Sequence, residues 1–225
     1  MSHTIHVSSV PILKRRNIHH FQGRCCDKVV VIVAGCIGSA IAQELSHYSF
    51  NTLLVKSAND VSQGATKGNL GIVHAGNDDK PGSLHAKFCW PGNQMFPKLD
   101  NELRFGYQLN GSLVLATNQA ELKIIDELME RGQKNGVKRL HIIKKEELSE
   151  MEPALNPDAI ARLHYQDADN VIPCEFVIAL AENALDNGVE SRIRHEVTDI
   201  TKKGKLLKVD VCHWEPKVTS TRGRR

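Results

Sequence analysis

Apolar positions along the chain switch between unbroken runs and helical spacing. Val29–Val33 is a run dominated by β-branched residues with no polar break, the pattern of a strand buried in a parallel sheet. Ala34-Gly35-Cys36-Ile37-Gly38 reads as a tight turn. Ser39–His47 then reads as a helix with Ile41, Ala42 and Leu45 on one face. Thr52–Val55 predicts a second buried strand. Strand, helix and strand within about 30 residues is the grammar of a βαβ unit. The stretch 57–83 is rich in Gly, Asn, Asp, Ser and Lys, and a loop of that length in a compact domain points to function.

Beyond it, Leu84–Leu103 has helical spacing but contains Pro91 and Pro97. Each removes a helix hydrogen bond, which predicts two short pieces or a kink. Tyr107–Asn110 and Ser112–Ala116 read as a hairpin turning at Asn110-Gly111. Gln119–Asn135 reads as a helix ended by Gly136, with Leu122, Ile125, Leu128 and Met129 as a packing stripe. Leu140–Ile143 reads as a strand, Glu146–Met151 as a short helix and Ile160–Tyr165 as a strand. Pro173 suits a first helical position, and Phe176, Val177, Leu180, Ala181 and Ala184 form the stripe of the helix it opens. Val189–Ile193, Val197–Ile200 and Leu206–Val211 read as strands, with Lys202-Lys203-Gly204-Lys205 as a charged hairpin turn.

Composition adds bounds. The chain has 225 residues, 41% hydrophobic and 24% charged, ordinary for a globular protein and unlike a disordered chain or a disulfide miniprotein. Its net charge of +3 is unevenly placed. Residues 1–26 carry Lys14, Arg15, Arg16 and Arg24 and no acid; residues 215–225 carry four basic residues against Glu215. The body, 27–214, has 21 basic and 25 acidic residues, which argues against a nucleic-acid-binding core. Residues 1–26 therefore read as a basic, solvated extension and 213–225 as a basic tail. The six cysteines form no CxxC pair and no zinc-like spacing, so reduced thiols in a cytoplasmic protein are expected. A mitochondrial address is the alternative, from the acid-free, Arg- and Ser-containing first residues. The longest apolar run, Val29–Ala42, is too short to span a membrane. His19-His20 and Cys25-Cys26 have no neighbouring ligand or partner motif and read as solvated and inert.

A strand, a glycine turn and a helix make a dinucleotide site because backbone reaches a pyrophosphate only where side chains are absent. The helix N-terminus then offers free N–H groups and a positive dipole. Gly35 and Gly38 hold the second and third glycine positions of GxGxxG, but Val33 stands at the first. The second strand ends Val55-Lys56-Ser57, placing a cation where an acid would bind the adenosine ribose. By itself this turn leaves nucleotide binding and a purely structural βαβ turn both open.

The next stretch carries a more specific signal. Gly64-Ala-Thr-Lys-Gly-Asn-Leu-Gly-Ile-Val-His-Ala-Gly76 resembles the loop of FAD-dependent oxidoreductases of the D-amino-acid-oxidase-like superfamily. Within that superfamily the stretch looks most like FAD-dependent glycerol-3-phosphate dehydrogenase and L-2-hydroxyglutarate dehydrogenase. The likeness continues through Lys80–Lys87, Asn110–Leu115, Glu146–Leu148, Glu152-Pro153, Ala179–Ala184, Asn187–Val189 and Glu196–Thr198. The resemblance implies an α/β fold: a Rossmann-like FAD-binding domain, 27–76 with 171–212, interrupted by an incomplete α+β substrate domain, 77–170. It implies FAD as cofactor, with Gly35 and Gly38 at the pyrophosphate. Thr66, Lys67, Asn69, Gly71 and Ile72 would line the path to the flavin. His74 would lie beside the ring as the candidate catalytic residue, and Val197 would contact adenine through its backbone. Lys56 stands at the ribose position. The implied reaction is hydride transfer from a small hydroxylated anion, glycerol 3-phosphate or a 2-hydroxy acid, to the flavin.

Three positions depart from the pattern: Val33, Lys56, and Asp169, where relatives usually show glycine. The likeness fades after Val211, and relatives continue further, which predicts a truncated member whose sheet lacks closing strands. Two other readings follow: a non-catalytic remnant or binding module, and an NADP-type Rossmann protein that uses Lys56 for a 2′-phosphate.

Overall fold

The computed structural model describes residues 2–8, 28–144, 156 and 158–215. They form a mixed α/β protein of two units, the first running to Asn69 and resuming at Pro173, the second covering Leu70–Ile172.

The first unit is built on a parallel sheet of β2 (Lys28–Ile32), β3 (Asn51–Val55) and β9 (Glu190–Arg192), in the order β2-β3-β9. Successive side chains of a strand point to opposite faces, so a sheet covered on both sides needs a continuous apolar run. Leu53–Val55 of β3 show this directly. Leu54 packs with Val31, Ala34, Ala42, Ala184 and Val189 on the face covered by helices α1 (Cys36–Ser46) and α5 (Pro173–Asp186). Leu53 and Val55 pack with Val209 and Val211 on the other face. That second layer is an antiparallel sheet, β1 (Ser2–Ser8), β11 (Leu206–His213) and β10 (His195–Lys203), in the order β1-β11-β10. All five apolar residues of the α5 stripe, Phe176 to Ala184, are buried, each large one contributing roughly 1.5–3 kcal/mol.

Several expectations need correction here. Residues 2–8 are a strand, paired Ser2↔Cys212 through Ser8↔Leu206, because the exposed edge of β11 offers a complete ladder of backbone partners. The helix after the glycine turn begins at Cys36, and its buried face is Ser39, Ala42, Gln43 and Ser46. Ile41 is 47% exposed instead. β2 lies at a sheet edge, so its last residue, Ile32, is also partly exposed.

The second unit holds an antiparallel sheet of β5 (Ser112–Ala116), β7 (Ala161–Tyr165) and β6 (Leu140–Lys144), in the order β5-β7-β6. Helix α4 (Gln119–Lys134) covers one face: Ile125 is buried with Ala116, Leu140, Leu163 and Tyr165, and Leu122, Leu128 and Met129 pack beside it. Asn118 caps α4 by accepting from the N–H groups of Ala120 and Glu121, and Glu121 reaches back to the N–H of Thr117. The proline-bearing stretch forms two pieces, α2 (Leu84–Asn93) and α3 (Phe96–Leu103), but the break falls after Asn93, with Pro91 tolerated in the last turn of α2. A two-residue ladder joins β4 (Ile72–Val73) to β8 (Asp169–Asn170).

The expected hairpin at Asn110-Gly111 does not form. β5 pairs with β7, and Gln108 instead exchanges backbone hydrogen bonds with Asn170. Long-range pairing supplies more backbone bonds than the local turn could. The expected helix at 146–151 lies outside the described residues.

Candidate functional site

The turn between β2 and α1 is the centre of the first unit's candidate site. The N–H of Val33 donates to the carbonyl of Val55 at 2.8 Å, tying the turn to β3. The Val33 carbonyl then points at α1. A Cβ placed on Gly38 would lie 1.7 Å from that oxygen, so only glycine fits there. A Cβ on Gly35 would meet the Thr66 Oγ1 at 3.3 Å. Thr66 sits on a single 3-10 turn, Ala65–Gly68, and its Oγ1 accepts from the N–H of Cys36 at 3.2 Å. Gly35 itself has no side chain to cap α1, so the Thr66 hydroxyl takes up the Cys36 N–H, and the first turn of the helix carries no acid.

Beside this turn lies a cavity of about 620 Å³, lined by β2, Gly35, Gly38, Ile41, Lys56 and Thr66 among others. Four of the sequence-predicted residues thus share one cavity. Lys56 is held by its backbone between Arg192 and His195, accepting from one and donating to the other at 2.9 Å. Lys67 does not line the cavity; its Nζ donates to Gln63 Oε1 at 2.9 Å. Asn69 closes the 3-10 turn by donating its N–H to the Thr66 carbonyl. Val197, at a bulge of β10, packs against the core of Leu53, Val55, Val209 and Val211.

The remaining three predicted residues belong to the second unit. Gly71, at φ +74°, accepts from the N–H of Val171, and Ile72 pairs with Asn170. His74 follows β4. Its carbonyl accepts from the Cys89 thiol, and the buried Asn93 amide spans the carbonyls of Val73 and Asp167. The His74 imidazole is half-exposed, with Nδ1 3.5 Å from Asp78 Oδ2. The Asp78 carboxylate raises the His74 pKa above its ordinary value, against an opposing contribution from burial. Burial and the nearby Asp79 push the Cys89 thiol up to about 12, so it stays protonated and unreactive near neutrality.

Sequence reasoning missed Asp78 as the partner of His74, although the two stand four residues apart. It also missed Ser62, whose N–H donates to the carbonyl of Ala34 and fixes the following loop against the glycine turn. No periodicity marks either contact, because both arise inside irregular backbone.

Comparison with known proteins now bears on this geometry. Residues 28–224 match the family described as FAD dependent oxidoreductase, abbreviated DAO. The chain belongs to this family of FAD-dependent oxidoreductases. It is 45% identical over 175 residues to a glycerol 3-phosphate dehydrogenase of Caloramator mitchellensis, covering 78% of this chain and 36% of that protein. It is 32% identical over 157 residues to the mitochondrial L-2-hydroxyglutarate dehydrogenase of Arabidopsis thaliana, covering 70% and 32%. Among solved structures it matches the L-α-glycerophosphate oxidase of Mycoplasma pneumoniae with FAD bound, at TM-score 0.74 and 30% identity, covering 79% of this chain and 47% of that one. The chain thus spans under half the length of these family members.

The residues present fit the strand–turn–helix of a dinucleotide site in two respects: Gly38 lets α1 pack against the Val33 carbonyl, where a Cβ has no room, and a cavity lies beside the start of α1, whose first turn carries no acid. At Val33 and Lys56 the chain carries a side chain and a charge that the general dinucleotide pattern lacks.

Proposed function

We propose that this protein binds FAD and takes part in oxidising a small hydroxylated anion, such as glycerol 3-phosphate or a 2-hydroxy acid. The observation that carries the reading is the glycine turn between β2 and α1, where only glycine fits at position 38 and where Gly35, Gly38, Lys56 and Thr66 line one cavity. In this reading Gly35, Gly38 and the first N–H groups of α1 hold the pyrophosphate. Thr66, Lys67, Asn69, Gly71 and Ile72 border the path to the flavin, Val197 offers backbone to adenine, and Lys56 lies toward the ribose. When bound, FAD supplies the hydride acceptor that no side chain provides.

His74 is the candidate general base. Asp78 faces Nδ1, so Nδ1–H is oriented toward the carboxylate and Nε2 is the atom left to accept a hydroxyl proton. Bound FAD would take the hydride of the substrate's C–H bond, and His74 Nε2 would take the hydroxyl proton as the alcohol carbon becomes a carbonyl.

The test is purification of the full chain followed by visible absorption and FAD titration. Bound flavin that bleaches anaerobically with glycerol 3-phosphate or L-2-hydroxyglutarate supports the proposal. Protein that takes up FAD without bleaching supports a binding module. Colourless protein protected against melting by NADPH and not by FAD supports the 2′-phosphate role of Lys56 and overturns the flavin reading.

A further inference from the structure

Val33 has φ +82°, a conformation that β-branched residues avoid because their two Cβ substituents crowd the backbone. Two backbone contacts oblige it. The N–H is fixed to the Val55 carbonyl at 2.8 Å, and the carbonyl is aimed at Gly38, where it excludes any Cβ. The side chain offers little in return. It is 51% exposed, on the wall of the cavity that also contains Gly35, Gly38 and Thr66. Unfavourable backbone at a ligand-facing turn, uncompensated by burial, lowers the population of that turn in the free protein. A ligand that needs the turn in this geometry then binds more weakly, in proportion to the lost population.

We infer that Val33 sets the affinity of this protein for a dinucleotide pyrophosphate, holding it below what the same turn would give with a residue suited to positive φ. The inference rests on the flavin reading above. It concerns backbone conformation and not side-chain volume, and the two are separable. Glycine relieves the conformation and removes the side chain. Asparagine, close to valine in size, tolerates the left-handed region while keeping the volume.

The experiment uses the full 225-residue chain and the variants Val33→Gly and Val33→Asn. FAD binding is read by quenching of flavin fluorescence, and circular dichroism checks that each variant folds. Hydrogen exchange of the Gly35–Gly38 amides is followed without FAD. Both variants should bind FAD about tenfold more tightly, equivalent to about 1.4 kcal/mol. Both should slow exchange at the turn. Measurable binding with equal affinity in all three proteins overturns the inference. So does tightening by glycine alone, which would make volume the cause. Absence of FAD binding in all three overturns the flavin reading itself, and with it this inference.

Discussion

The hydroxyl of Tyr107 donates to Oδ2 of Asp169, a carboxyl group only 1% exposed on the short strand β8. Burial raises the Asp169 pKa, and this outweighs the lowering by the Tyr107 hydrogen bond. The unfolded chain therefore releases this proton at lower pH than the folded one. As pH climbs from the unfolded pKa through the folded one, the folded state binds more protons and stability falls. Asp169→Asn keeps an acceptor for Tyr107 and removes the charge. It should raise Tm at pH 7 by about 2–4 °C, and by less at pH 4, in thermal melts at both pH values. An equal gain at both would show that ionisation of Asp169 is not the cause.

Gly35 and Gly38 stand in the same turn and predict opposite tolerances. Gly38→Ala puts a methyl 1.7 Å from a backbone oxygen that cannot step aside without breaking the tie to β3. It should cost at least about 3 kcal/mol in urea unfolding. Gly35→Ala meets only the Thr66 hydroxyl, at 3.3 Å, and should cost under about 1 kcal/mol. Equal costs would contradict the close approach at Gly38.

His74 holds its proton to higher pH than an ordinary histidine because Asp78 faces it. Asp78→Asn removes the charge, so the His74 pKa should fall back toward the ordinary value of about 6.5 in an NMR titration of its ring protons. The stability linked to this pair is present below the unfolded pKa and lost as pH rises through the folded one. An unchanged pKa would rule out Asp78 as the cause.

Helix α2 presents an inverted face. Ala86 and Asn93 are buried, while Leu84 and Phe88 are 74% and 63% exposed on the opposite side, with Met95 just beyond the helix at 58%. Leu84→Gln with Phe88→Ser should change Tm by no more than about 2 °C and raise solubility, measured as soluble protein at fixed salt. A large fall in Tm would mean that these side chains are packed in solution.

Much of this was readable from local pattern. Leu53–Val55 of β3 and the stripe of α5 are buried, and the stripe of α4 packs on its sheet around the buried Ile125, because amphipathic periodicity reports which face meets a core. The paired glycines announced a backbone that must come close to something, and the structure shows that for Gly38 this includes the Val33 carbonyl. The hairpin at Asn110-Gly111 failed for the converse reason. A turn dipeptide states a local preference, and β7 offered β5 a longer ladder.

The sequence alone determined the βαβ opening, the family and the candidate residues, since each rests on contiguous residues or on spacing. Only the tertiary structure decided that residues 2–8 pair with β11, that Ile41 lies in a cavity wall, that Asp78 faces His74 and that Val33 is held at positive φ. Each of these depends on what another part of the chain brings alongside: an open edge, a carbonyl at Val55, a carboxylate across a loop. Backbone hydrogen bonding and close approach are set by such neighbours, and side-chain identity read one position at a time does not contain them.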